Sequence, residues 1–300
     1  MNYDIVIIGA GPAGLTAAIY SARNGLKTGV ISKDIGGTAN SILSLENWPG
    51  FKGPGSKLMK QFYDHAKEYD LDFIMSEALS IKKEKKGFSV KTSKGDIQTS
   101  AVIIATGTDR RKLKIPGEER LIGRGVSYCV TCDAFFFKNK TVAVIGGSDC
   151  AATSAVALTG IAKKVYVIYR GEKLRCEAIN TKRLNESKNA EMIYNAIPEE
   201  IKGKDKVEGI VIKDKNGKKR EIKIDGVFVE IGSTPLLEFA KDINLKLDKE
   251  NCIVVDDLMK SSVDGVFAAG DATNAKVKQV VTAAAQGAIA AKSANEWLKK

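Results

Sequence analysis

Histidine is almost absent from this chain, with a single residue, His65, among 300. It lies in an amphipathic stretch from Lys57 to Tyr69, where a lone imidazole reads as a surface residue, so proton transfer near neutral pH falls to other groups. Cysteine is scarce as well. Five residues make an odd count with one close pair, which argues against a secreted disulfide framework and for a reducing compartment. No second C-x-x-C accompanies that pair, so a four-cysteine zinc site is excluded and no metal is expected. No apolar run approaches the roughly 20 residues of a membrane span. Met1-Asn2-Tyr3-Asp4 lacks a basic region and the chain meets Gly9 too soon for a signal peptide, which makes the cytoplasm the expected location. Aromatic residues make up 7% of the chain and do not interleave with its lysines. Of the net charge of +11, the middle segment, residues 114–232, carries +6 from 22 basic and 16 acidic side chains. Charge spread this thinly is no nucleic-acid stripe and instead suits an acidic partner protein.

What is present begins with size: 300 residues make about two average domains, and 44% hydrophobic content supplies a core for each. Tyr3 to Ile8 is a β-branched run that ends at Gly9-Ala10-Gly11-Pro12-Ala13-Gly14. Leu15, Ala18, Ile19 and Ala22 then recur at helical spacing, and Lys27 to Ser32 gives a second strand. This is the βαβ context in which a G-x-G-x-x-G match becomes credible. Gly9 makes the turn, Gly11 lets backbone N–H groups approach a pyrophosphate, and Gly14 lets the helix pack on the strand. The pattern returns. Thr141 to Ile145 is a strand, Gly146-Gly147-Ser148-Asp149-Cys150-Ala151 a second turn, and an Ala-rich helix runs to Leu158 before a strand from Val165 to Tyr169. Further along, Asn216-Gly217 reads as a hairpin turn, Val227 to Ile231 and Gly265 to Asp271 as buried strands, and Gln279 to Leu298 as a helix. Upstream, Phe88 to Gly107 reads as a strand, a Lys94-Gly95 turn, a second strand and a separate buried strand from Ala101. The expected fold is α/β, with two Rossmann-like dinucleotide-binding domains, the second inserted into the first. The first domain takes residues 1–113 and 235–300, the second residues 114–234.

Between the two glycine turns stands Cys129-Val130-Thr131-Cys132-Asp133. Thiols at this spacing close a disulfide with little backbone movement, and beside two dinucleotide turns they read as an electron relay. Exchange at such a pair needs a thiolate attacker and a nearby proton carrier, for which Asp133 is the candidate. The other reading of Asp133 is a helix cap.

Taken together, Gly9 to Gly14, Glu46-Asn47-Trp48-Pro49-Gly50, Ala105-Thr106-Gly107, the C-x-x-C-D motif, Gly146 to Ala151, and Gly270-Asp271 with Gln279 resemble the low-molecular-weight thioredoxin reductases over essentially the whole chain. The resemblance implies a homodimeric enzyme that reduces thioredoxin with electrons from NADPH. FAD would be held in the split domain by Gly9, Gly11, Pro12, Ala13, Gly14, Gly36, Gly37, Thr38, Asn47, Gly107, Gly270, Asp271, Gln279 and Val280. Cys132 would face the flavin and Cys129 would exchange with the substrate. The inserted domain would rotate about its two crossovers so that nicotinamide and dithiol reach the flavin alternately. NADPH would be met by Gly146 and Gly147 and by Arg170 and Arg175.

The second turn departs from that pattern. Ser148 replaces its second glycine, Thr153-Ser154 stand where the family carries acids, and Tyr169-Arg170-Gly171 replaces a His-Arg-Arg run. From sequence, NADPH, NADH and a deazaflavin therefore remain open as donors. A flavin-dependent dithiol oxidase and a non-enzymatic redox sensor are the alternative classes.

Overall fold

The computed structural model describes residues 2–42 and 45–300. The chain divides into two compact units, one of residues 1–109 with 234–300 and one of residues 110–233. The first unit opens with β1 (Asn2–Ile8), α1 (Pro12–Arg23) and β2 (Thr28–Ser32), followed by a hairpin of β3 (Leu45–Trp48) and β4 (Phe51–Gly53). Next come α2 (Gly55–Ala66), β5 (Leu71–Met75), β6 (Ala78–Lys83), β7 (Phe88–Thr92) and β8 (Gly95–Ile104). The chain then enters the second unit through β9 (Thr108–Arg110), β10 (Val126–Ser127), α3 (Val130–Asp133), β11 (Thr141–Ile145), α4 (Asp149–Thr159) and β12 (Lys164–Ile168). It continues through α5 (Ala178–Glu186), β13 (Ala190–Ile193), β14 (Ala196–Lys202), β15 (Gly209–Asp214), β16 (Lys219–Lys223) and β17 (Gly226–Val229), and leaves by β18 (Ser233–Pro235). β19 (Val266–Ala268) and α6 (Val280–Leu298) complete the first unit.

In the first unit, β5-β2-β1-β8-β7-β6 lie side by side and β19 joins on β8. One sequence-based expectation fails here. The two strands expected on either side of Ala101 are one, because β8 runs unbroken for 10 residues. Its first half pairs antiparallel with β7, and its second half runs parallel between β1 and β19, so a single strand serves both the meander and the parallel sheet. The parallel part is buried on both faces, which explains why β1 and the end of β8 read as continuous Ile/Val runs rather than alternating ones. α1 and α6 pack together on one face, where Gly287 brings α6 so close that a Cβ there would lie 2.1 Å from the Ala13 carbonyl oxygen.

In the second unit a parallel sheet of order β10-β17-β11-β12-β13 is accompanied by an antiparallel sheet β14-β15-β16. Leu121, Ala143, Ile145, Val227 and Ile210 are among the fully or nearly fully buried residues of a core cluster drawn from both. Among the described residues no helix is long and apolar enough to cross a membrane. Of the three cysteines outside the close pair, Cys252 is buried, Cys176 half-buried and Cys150 exposed. His65 is exposed at the end of α2, its ring near the Tyr69 hydroxyl.

Candidate active site and cofactor sites

Gly9 turns the chain after β1 with φ of 106°, a backbone conformation that glycine adopts without strain. A Cβ on Gly9 would lie 2.3 Å from the Ala105 carbonyl oxygen, and one on Gly14 would lie 1.8 Å from that of Gly9. Both glycines are therefore demanded by the packing of α1 on β1 and β8. Gly11 is different. Its added Cβ would meet nothing nearer than the Gly36 carbonyl oxygen at 4.0 Å, and Gly37 faces Gly11 in turn, with its own Cβ 3.6 Å from the Gly11 Cα. The Gly36-Gly37-Thr38 turn is drawn in by the Gly36 N–H, which donates to the Ala10 carbonyl at 2.7 Å. Beside that turn the bare Gly11 leaves a small cradle that a side chain would fill. α1 starts at Pro12 with no side-chain cap, so the first-turn N–H groups of Ala13 and Gly14 are left for an anion, and the helix dipole favours one.

Opposite α1, Gly270 closes in with φ of 77° and an added Cβ only 3.1 Å from the Ala13 Cβ. Asp271 follows it. Burial pushes the Asp271 carboxyl above its ordinary pKa, and the Lys278 ammonium opposes this. Lys278 itself donates to the backbone carbonyl of Asp271 at 3.0 Å rather than to the carboxylate. A half-buried, partly desolvated carboxylate in this condition suits the hydroxyls of a ribityl or ribose chain. Gln279 is the N-cap of α6 in a reciprocal pair with Thr282, and its Oε1 also accepts from Asn47 Nδ2 at 3.0 Å. Its side-chain oxygen is thus committed to the helix start and to Asn47, and Val280 begins the helix behind it. Gly107, with φ of 64°, has nothing within 4 Å of an added Cβ, so this side of the site is open. An anion cradle at α1, a desolvated carboxylate and an open edge together fit FAD.

In the second unit, Cys129 and Cys132 are joined by a disulfide with a Cα–Cα distance of 5.3 Å. Cys132 is exposed and Cys129 half-buried. The Cys132 N–H donates to Cys129 Sγ at 3.2 Å, a contact that favours a thiolate on Cys129 once the disulfide opens. Asp133 is half-buried, and its N–H donates to the Cys129 carbonyl at 3.1 Å. It closes α3, whose N-cap is Cys129, and stands at the N-cap position of the 3-10 turn Ala134–Phe137 without a side-chain hydrogen bond to it.

Sequence reasoning missed the support of this loop. The Ser127 hydroxyl accepts from the Cys129 N–H at 3.0 Å. The Tyr128 hydroxyl donates to Glu118 at 2.7 Å, while the fully buried Glu118 also accepts from the N–H groups of Leu113 and Lys114 at 2.7 and 2.6 Å. Burial and the Glu118 carboxylate push the Tyr128 phenol well above its ordinary pKa. The only hint in sequence was an acidic pair after Pro116-Gly117, which is indistinguishable from an exposed turn.

The second glycine turn lies at the ends of β11 and β12. A Cβ on Gly146 would lie 2.2 Å from the Glu230 carbonyl oxygen, and one on Gly147 2.5 Å from the Tyr169 ring. Ser148 caps α4 by position, without a side-chain hydrogen bond. The Asp149 carboxylate accepts from the Glu177 N–H at 2.7 Å. Arg170 is exposed. The Arg175 N–H donates to the Gly147 carbonyl at 2.7 Å, which draws the Arg170–Arg175 loop against the turn. Two guanidinium groups on the loop that follows β12 suit a 2′-phosphate, so the residues fit NADPH. Glu230, also missed from sequence, is 3% exposed and forms an ion pair with Arg110 and accepts from the Ser154 hydroxyl at 2.8 Å. Its pKa is raised by burial, against the pull of Arg110.

A family model described as pyridine nucleotide-disulphide oxidoreductase matches residues 3–287. The chain belongs to that family. Among curated relatives of this oxidoreductase, thioredoxin reductase of Treponema pallidum is 39% identical over 99% of this chain and 97% of its own length. Among solved structures, thioredoxin reductase of Lactococcus lactis superposes with a TM-score of 0.97 at 36% identity, covering 99% of both chains. That of T. acidophilum gives 0.94 at 38% identity over 98% of both. The Cys129–Cys132 disulfide fits the redox-active centre of such an oxidoreductase.

Proposed function

We propose that the protein is a thioredoxin-disulfide reductase that moves two electrons from NADPH, by way of FAD, to Cys129–Cys132 and on to the disulfide of a thioredoxin-like protein. The observation that carries this reading is the disulfide itself, set in a chain with two dinucleotide turns. Bound FAD supplies a two-electron carrier between the nicotinamide and the disulfide. The first-turn N–H groups of α1 hold its pyrophosphate, and Asp271 orients its hydroxyls. Two electrons and two protons convert Cys129–Cys132 to the dithiol. The Cys129 thiolate, favoured by the Cys132 N–H, then attacks the substrate disulfide, and Cys132 resolves the mixed disulfide. The oxidised pair and a reduced substrate dithiol result. Asp133, next to Cys132, carries the proton that the leaving thiolate needs.

Downstream of the dithiol, Phe135 and Phe136 are 77% and 70% exposed, a pair of large apolar side chains that supports docking of a protein rather than a small substrate. α6 bears exposed Val281 and Ile289, with Val277 just before the helix and Tyr20 on α1. These exposed apolar side chains on α1, α6 and just before α6 support a homodimer. Three cysteines outside the disulfide suit the reducing cytoplasm. The decisive test is anaerobic titration of the FAD-reconstituted protein with NADPH, followed by thioredoxin. Flavin absorbance should bleach and then recover. In Cys129→Ser and Cys132→Ser, bleaching should persist while thioredoxin reduction stops; thioredoxin turnover by both variants would refute the relay.

A further inference from the structure

The Tyr169 ring lies where two glycines permit it and where an arginine meets it. A Cβ on Gly147 would lie 2.5, 2.5 and 2.6 Å from the Cδ2, Cγ and Cδ1 atoms of that ring. Such equal distances mean that the ring presents its face to the Gly147 Cα. A Cβ on Gly171 would meet the other end of the ring, 2.5 Å from Cε1 and 2.9 Å from Cζ. The Arg175 guanidinium lies 5.9 Å from the ring centroid. The backbone of Arg175 is anchored as well, by its N–H bond to Gly147 and by a parallel bridge to Ser148.

We propose that Tyr169 is a positioning residue for the electron donor: its ring, seated on Gly147 and Gly171, holds the Arg175 guanidinium ready for the 2′-phosphate of NADPH. This rests on NADPH being the donor. Strand ends such as that of β12 are where βαβ units meet the adenosine ribose, and an arginine there receives the 2′-phosphate. An exposed arginine loses much rotamer freedom when it grips an anion, and a ring that restricts it beforehand removes part of that cost. Gly171 has a role in this arrangement that its place in an exposed basic loop does not reveal, since any side chain there would displace the ring. Gly147 likewise serves the ring and not only the ligand.

The test measures binding of 2′,5′-ADP and of 5′-AMP to the FAD-loaded protein by calorimetry, beside steady-state KM and kcat with NADPH and NADH. The parent protein should prefer 2′,5′-ADP. Tyr169→Leu and Gly171→Ala should each weaken 2′,5′-ADP roughly three- to tenfold, raise KM for NADPH by the same factor, and leave 5′-AMP affinity and kcat unchanged. Tyr169→Phe keeps the ring and should stay within about twofold of the parent. Unchanged 2′,5′-ADP affinity in both Tyr169→Leu and Gly171→Ala overturns the proposal, as does a loss in Tyr169→Phe equal to that in Tyr169→Leu. A parent protein that shows no preference for 2′,5′-ADP refutes the NADPH reading itself, whatever the variants do.

Discussion

Gly11→Ala should separate cofactor binding from folding. The added methyl would sit 4.0 Å from its nearest protein neighbour, at a backbone φ of −79°, so the apoprotein has room for it and no strain arises. Two small effects on the fold oppose each other. Alanine is a poorer N-cap than glycine, which costs about 0.5–1 kcal/mol, and it restricts the unfolded chain, which returns about 0.4–1 kcal/mol. The apoprotein melting temperature should therefore stay within about 2 °C of the parent. FAD binding should not survive so well. The methyl occupies the cradle beside Gly36 and Gly37, and loss of one or two hydrogen bonds to a charged pyrophosphate, each about 1.5–3 kcal/mol, weakens binding roughly tenfold to twenty-thousand-fold. Gly14→Ala is the contrasting case, because a Cβ 1.8 Å from the Gly9 carbonyl oxygen forces α1 off the sheet and lowers apoprotein stability by about 2 kcal/mol or more. Thermal melts of both apoproteins, with FAD titration followed by quenching of flavin fluorescence, decide the matter. If Gly11→Ala binds FAD as tightly as the parent, or melts as early as Gly14→Ala, the assignment of the cradle is wrong.

Asp271→Asn should trade affinity for stability. Burial raises the Asp271 pKa, so the folded apoprotein loses stability as pH rises from the ordinary carboxylate range through that raised value, and stays level above it. Asparagine abolishes this slope, so the variant apoprotein should melt later at neutral pH while binding FAD about tenfold or more weakly; an unchanged pH profile of melting refutes the burial argument. Arg110→Ala leaves the Glu230 carboxylate without its cation. Its pKa, already raised, rises further, and the variant's deficit in stability should grow with pH to about 3 kcal/mol near neutrality, as read from denaturant melts between acid and neutral pH. A deficit independent of pH would place the loss elsewhere. Phe135→Ala with Phe136→Ala should raise KM for thioredoxin about tenfold or more and leave reduction of a small aromatic disulfide unchanged. Equal effects on both substrates would rule out a docking role.

The parallel core and the glycine turns were legible because their causes are local. Ile5 to Ile8 and Val102 to Ile104 are buried on both sheet faces, so their uninterrupted hydrophobicity announces parallel strands. Gly9 and the Cys129/Cys132 spacing likewise carry their chemistry within a few residues. β8 was misread because nothing in its own residues says that one strand changes partners halfway along. α2 ended at Ala66 and not at Tyr69, since helix termini depend on packing as well as on periodicity. Glu118 and Glu230 were invisible because a glutamate looks the same in sequence whether solvated or buried, and for Glu230 the partner Arg110 lies 120 residues away along the chain.

Sequence alone determined the paired βαβ units and the dithiol between them, because turn chemistry, hydrophobic period and a C-x-x-C spacing act over short stretches. Tertiary structure decided which glycines serve packing and which leave room for a ligand. It also decided that Gln279 caps its helix while holding Asn47, and that Tyr169 lies between two glycines and an arginine. Each of these depends on distances between segments remote along the chain, and only the folded backbone sets such distances.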